Sequence, residues 1–355
     1  MSSARGPVRG GLIAALLACV WASGACQGTS VGGADLPGEP IAIIYYPEEI
    51  ARRRAEDLEA TEGRKRKSLS EGKEGVMHVN LGLQYLDDTF GVQSQGEFDP
   101  MAGYLALLDP RTAQVKIIEA ARRGAIPQDW SSDHRHLLFS QRTSQNMQLF
   151  EYDTEQDHVV RLTREPGIHP WGCYGPDHRL VLMSAEFLSG SSSNQTLSTK
   201  ILLTEPGGLD PQPISAGPMD HSPTCAPDGS AVAYVRTGTH GGFELVVHSP
   251  LIEGSSRTIA PGAEPRFTAD SQWIIYTSQR RGHSTLWRIR PNGSGRSRIG
   301  SGTGFDEMRP ASSPSGRFVV YQSEANSRSR LFVRRFDGTG DRILFADGDA
   351  SNPVW

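Results

Sequence analysis

The chain has 355 residues and a hydrophobic content of 37%, enough to bury one large core or two modest ones. Its net charge is −4 and no basic face dominates, which argues against a nucleic-acid-binding protein. The 39 glycines and 23 prolines suit a chain with many turns.

Residues 1–25 read as an export signal. Arg5 and Arg9 make a basic start, and the apolar run over 12–22 is too short for the roughly 20 residues that a bilayer span requires. Small residues Ser23-Gly24-Ala25 then lead to Cys26, in the manner of a bacterial lipobox whose cysteine becomes the lipid-bearing first residue of the mature chain. Ser23 stands where a lipobox favours Leu; cleavage after Gly24 without a lipid, or an anchor at Cys19, are the alternatives. The expectation is a periplasm-facing or surface lipoprotein of the bacterial envelope, attached to the membrane through Cys26.

Residues 26–40 are rich in Gly and Pro without periodicity and read as a flexible tether. A strand follows at 41–46. Residues 47–75 break the pattern: Glu48, Glu49, Arg52, Arg53, Glu56 and Asp57 pair at helical spacing beside a narrow apolar stripe of Ile50, Ala51, Ala55 and Leu58. The run Arg64-Lys65-Arg66-Lys67 ends this arm, which is expected to be either a solvated helix or a partner-binding one. An extended stretch at 76–86 and a loop to residue 100 complete an insertion spanning 47–100, and strands are expected at 103–109 and 114–120.

From Trp130 onwards the chain repeats. The cleanest copy is Cys225-Ala226-Pro227-Asp228-Gly229-Ser230-Ala231-Val232-Ala233-Tyr234-Val235, a strand end, a tight turn and a buried strand finishing on an aromatic. The same spacing starts at Trp130, Tyr174, Phe267 and Ser312, and again at Trp355. Successive starts are separated by 44, 51, 42, 45 and 43 residues, the period of a four-stranded propeller blade. Asn352-Pro353-Val354-Trp355 opens a sixth repeat whose remaining strands are those at 41–120. The fold expected is therefore an all-β six-bladed propeller of four-stranded antiparallel blades over 41–355, closed by the C-terminal strand joining the N-terminal blade. Cys173 and Cys225 begin consecutive repeats, and export would permit a disulfide between them; their offset by one position points the side chains to opposite faces, so free thiols are slightly favoured over the bridge.

The Pro-Asp-Gly-type turn followed by an apolar-apolar-aromatic strand resembles the repeat of TolB-type propellers, with Ser315 in place of the Asp and His134, His178 and Ser271 in place of the Gly. The resemblance implies the fold and is shared by periplasmic TolB, by propellers of prolyl-oligopeptidase-type hydrolases, by some carbohydrate-active proteins and by exported lipoproteins. No TolB-like N-terminal α/β domain precedes the repeats.

Catalytic motifs are not evident. Gly28-Thr29-Ser30-Val31-Gly32 matches a nucleophile elbow only in letters, because it lies in the tether rather than between a strand and a helix. The loops leading into the innermost strands carry His169, Asp220, His221, Glu264, Asp306, Glu307, Asp349 and Asn352, with Asp129 in the second blade. Converging at the channel mouth, such groups would suit a divalent cation or a polar ligand. The reading is thus a non-catalytic, monomeric binding or scaffolding propeller with an envelope protein as partner and no resident cofactor. The alternative is an enzyme or a sugar- or peptide-binding protein using the channel mouth.

Overall fold

The computed structural model describes residues 33–70 and 102–355, apart from positions 145, 165–166, 176–178, 189–195, 206–207, 218, 239–241, 250–254, 281–282, 302–304, 326–327 and 346–347. The export signal, Cys26, the Gly28–Gly32 match, the extended stretch at 76–86 and the Ser-rich loop near residue 190 lie outside the described residues.

The repeat builds six four-stranded antiparallel sheets. Their innermost strands are Asp349–Val354 (blade 1), Ile126–Trp130 (blade 2), Gly172–Tyr174 (blade 3), Asp220–Cys225 (blade 4), Ala263–Phe267 (blade 5) and Asp306–Ser312 (blade 6). Blade 1 is composite, as expected: Asp349–Val354 pairs with Ile41–Tyr46, which pairs with Tyr104–Leu108 and then Val115–Ile117. Ala42 faces Val354 and Tyr46 faces Asp349 across that closing pair.

The turns follow from their residues. Gly229 and Gly316 take φ of 72° and 67°, and His134 and Ser271 adopt the same left-handed conformation at 55° and 59°. Each closes an i to i+3 backbone hydrogen bond, and the side chains of Asp133, Asp228 and Asp270 accept the N–H two residues on. The second strand of each blade is buried because neighbouring blades stack on both of its faces. Leu137-Leu138-Phe139, Val232-Ala233-Tyr234 and Ile274-Ile275-Tyr276 are all sealed from solvent, each large side chain contributing about 1.5–3 kcal/mol.

Composition misleads at the end of the tether. Leu36 is buried, its carbonyl accepts from Arg111 Nε at 2.9 Å, and Glu39 O accepts from Trp355 Nε1 at 3.0 Å. The segment from Gly33 packs on the ring because its one large apolar side chain joins the blade 1 core.

The helix α1, Glu48–Ser70, begins with two acidic residues suited to a helix N-terminus. Arg52–Glu56 and Arg53–Glu49 pair one turn apart at 2.6 and 2.5 Å. Its first turns are rooted: Ala51 is fully buried, Arg54 stacks 3.8 Å over the Tyr46 ring, and Glu48 takes both terminal nitrogens of Arg328 in blade 6. Leu58, two turns on, is exposed.

Cys173 and Cys225 form a disulfide, with Cα atoms 5.7 Å apart, contrary to the free thiols expected. The one-position offset that argued against a bridge is what permits it. The residue before the start position of one blade faces the start residue of the next: Asp129 Oδ2 accepts Tyr174 N at 2.9 Å, and Thr224 Oγ1 accepts Phe267 N at 3.4 Å. Cys173 and Cys225 stand in that relation between blades 3 and 4. Reducing the bridge, or replacing both cysteines by Ser, is expected to cost roughly 2–4 kcal/mol in urea unfolding followed with and without dithiothreitol.

The candidate site at the axial channel

The innermost strands of blades 1, 4, 5 and 6 carry a bulge where the chain passes the axis. Ser222, Glu264, Arg309 and Asn352 take φ near +50° (51°, 52°, 50° and 51°), each just before a proline, and the strand register slips at the same place. A non-glycine residue held there stores about 1–3 kcal/mol, which the surrounding ring must impose. These residues, with Gln128, Trp171 and Arg266, line a solvent-open cavity of about 580 Å³.

Of the residues expected at the channel mouth, Glu264 and Asn352 line this cavity. The others are brought to the blade junctions instead. Asp220 is fully buried, gripped by Arg236 at 2.8 and 3.0 Å and by Gly217 N at 2.9 Å. Asp306 accepts Ser284 N of blade 5 at 2.7 Å. Glu307 accepts Thr285 Oγ1, Leu286 N and Ser301 N, and pairs with the buried Arg334 at 2.8 Å. Asp349 binds Arg328, Arg330 and Ser329 N of blade 6. Asp306, Glu307 and Asp349 thus tie down the third strand of the blade before, whereas Asp220 is held within its own blade.

The imidazoles are likewise engaged. His169 Nδ1 lies 3.2 Å from Met183 O. His221 sits between the rings of Trp171 and Phe243, 5.7 and 5.8 Å away, with Ser222 and Thr237 hydroxyls on its nitrogens. Burial pulls its pKa down to about 4, against the nearby Asp220 charge, so it is a neutral aromatic at physiological pH. Among the described residues, no group of three His, Cys, Asp or Glu side chains could hold a metal ion.

Two arginines that sequence reasoning missed dominate the channel. Arg309 donates its backbone N–H to Glu264 Oε2 at 2.8 Å, while its Nε stands 3.8 Å from Oε1. Thr277 Oγ1 donates to the same Glu264 oxygen at 3.2 Å. Arg266 projects from blade 5 into the field of Asp129 in blade 2. Burial lowers the Arg266 pKa against the pull of Asp129 and Glu264, and burial raises that of Asp129 to about 6 against Tyr174 N–H and Arg266. The recurring x-Pro at the bulge, as in Glu264-Pro265 and Arg309-Pro310, was the available signal, since proline inside a strand marks a bulge.

No protein-family model matches the chain. It is 24% identical over 285 residues to an uncharacterised protein of Agrobacterium fabrum strain C58, covering 74% of this chain and 91% of that one. Among solved structures it resembles TolB of Acinetobacter baumannii, with a TM-score of 0.59 and 16% identity over 71% of this chain and 62% of that one. The match therefore takes in less than two-thirds of that TolB. A protein described as TolB from Agrobacterium tumefaciens gives 0.55 at 18% identity, covering 67% of this chain and 91% of the other. Hydrazine synthase of Kuenenia stuttgartiensis gives 0.60 at 11% identity over 90% of this chain and 46% of the other. At such identities the likeness is one of fold: the chain is a six-bladed β-propeller of the kind found in TolB proteins.

Proposed function

We propose that this protein is an exported, non-catalytic binding or scaffolding propeller of the bacterial cell envelope, anchored by a lipid on Cys26 and recruiting a protein partner through α1. The observation that carries this reading is the helix itself. A rigid closed ring holds its first turns by Ala51 and the Glu48–Arg328 pair, and a charged rod continues beyond them to Ser70. Rooting an arm in this way fixes its direction and lowers the ordering cost of recruiting a partner. The basic start, apolar run and Cys26 support export and anchoring, and no helix among the described residues is long and apolar enough to cross a membrane. The fold shared with TolB proteins is compatible with an envelope role.

The test is photocrosslinking in cells from an unnatural residue at the exposed Leu58. A discrete envelope protein should be captured, and capture should be lost when Arg64, Lys65, Arg66 and Lys67 are replaced by Ser. Cys26→Ser should move the protein from the membrane to the soluble fraction. Crosslinking to nothing specific from α1 would sink the partner reading, and unchanged fractionation of Cys26→Ser would sink the anchor.

A further inference from the structure

Position by position, Arg266 belongs to the set that ties each blade to the next. Its counterparts Asp129 and Thr224 accept an N–H from the following blade, and Cys173 makes the disulfide there. An arginine cannot accept a hydrogen bond, so at this junction the side chain is released into the channel. Its guanidinium makes no hydrogen bond and no ion pair among the described residues.

We propose that the axial channel binds a small oxyanion ligand, a carboxylate or a phosphate, on the guanidinium groups of Arg266 and Arg309. Both residues line the same cavity from neighbouring blades. The cavity's own carboxylate leaves their hydrogen-bond donors open: Glu264 Oε2 is taken by Arg309 N and Thr277 Oγ1, and the ion pair of Glu264 Oε1 with Arg309 Nε, at 3.8 Å, is longer than a hydrogen bond. Asp129 reaches Arg266 only through its field and gives one oxygen to Tyr174 N. Both guanidinium groups are partly exposed to the cavity and keep hydrogen-bond donors free to turn toward a ligand. A planar fork of N–H donors matches a carboxylate or phosphate with two parallel hydrogen bonds.

The rest of the wall fits the same ligand. Asn352, Gln128 and Ser222 add polar groups, and Trp171 gives one aromatic side against which a carbon skeleton can lie. Two arginines facing a single lining carboxylate also disfavour the divalent cation that the acidic residues had suggested. The cavity opens to solvent, so a ligand in it can keep part of its body in water while its oxyanion meets the arginines.

Calorimetric titration of the purified full chain at low ionic strength tests this, with succinate, glucuronate and inorganic phosphate as separate probes. At least one probe should bind saturably at one site per chain; the arms separate a carboxylate ligand from a phosphate one. Arg266→Gln should weaken that binding at least tenfold with little change in melting temperature, because the partly exposed guanidinium makes no hydrogen bond or ion pair to a described residue. Arg309→Gln, at a partly exposed position, should weaken it less and guards against a folding defect in the first variant. No saturable binding of any probe would overturn the proposal, as would binding indifferent to both substitutions. Purified protein suffices, so this result is separate from the fate of the α1 partner.

Discussion

A chain lacking residues 351–355 is expected to lose its cooperative thermal transition. Those residues supply most of the inner strand of blade 1, whose hydrogen-bonded pairing with Ile41–Tyr46 closes the ring between the last blade and the first. Val354 and Trp355 are buried, the Trp130 indole donates to Val354 O at 3.2 Å, and the Trp355 indole donates to Glu39 O at 3.0 Å. Removing them bares an edge of Ile41–Tyr46 and opens the cluster shared by Leu36, Ile41, Ile43 and Phe345. Domains are stable by only about 5–15 kcal/mol, so a loss on this scale unfolds the ring. Trp355→Ala is the milder test and should cost about 3–5 kcal/mol in urea denaturation. A truncated chain melting like the intact one would show that closure contributes nothing.

Arg334→Met is expected to cost about 3–5 kcal/mol, the largest single effect away from the closing strand. The Arg334 side chain is 0% exposed and is bound by Asp341, Glu307 Oε1, Ile299 O and the Tyr321 hydroxyl. Its loss strands a buried carboxylate at Glu307. Burial pushes the Glu307 pKa up, but the Arg334 charge and the Thr285, Ser301 and Arg334 hydrogen bonds overcome it and hold the pKa below the ordinary value. A depressed carboxylate stabilises the fold above its unfolded-state pKa, about 4.3, and that stability is lost as pH falls through the folded value. In Arg334→Met only the Thr285, Leu286 and Ser301 hydrogen bonds oppose burial, so the pKa rises, and the penalty of the buried charge, full at neutral pH, is relieved as pH falls through the folded value. The gap between wild type and variant should therefore be full at pH 7 and narrow under acid conditions. Adding Glu307→Gln should recover part of the deficit. A variant within about 1 kcal/mol of wild type at pH 7 would refute this account.

The blades were legible because each repeat writes the same local physics: a turn residue, an Asp that caps it, and an apolar-apolar-aromatic strand. Even the substitutions His134 and Ser271 kept the left-handed turn. Closure was legible because Trp355 stands in the start slot of a repeat whose other strands are N-terminal. What escaped were the side-chain pairings that lie outside the repeat's own motif. The Cys173–Cys225 bridge depends on one blade's penultimate residue meeting the next blade's start, a relation invisible within a single repeat. The roles of Asp220, Glu307 and Asp349 depend on Arg236, Arg334 and Arg328, which lie 16, 27 and 21 residues away and share no motif with them. Arg266 and Arg309 went unnoticed because acids and imidazoles on the entry loops were sought, whereas the strand bulge turns other residues toward the axis.

The composite first blade also sets the order in which the molecule can be made. During synthesis Ile41–Tyr46 emerges some 300 residues before its partner Asp349–Val354. Until then the nascent chain holds an apolar strand with one side unpaired. Long-range pairing of this kind folds slowly, so closure of the ring waits on the pair of strands farthest apart in sequence.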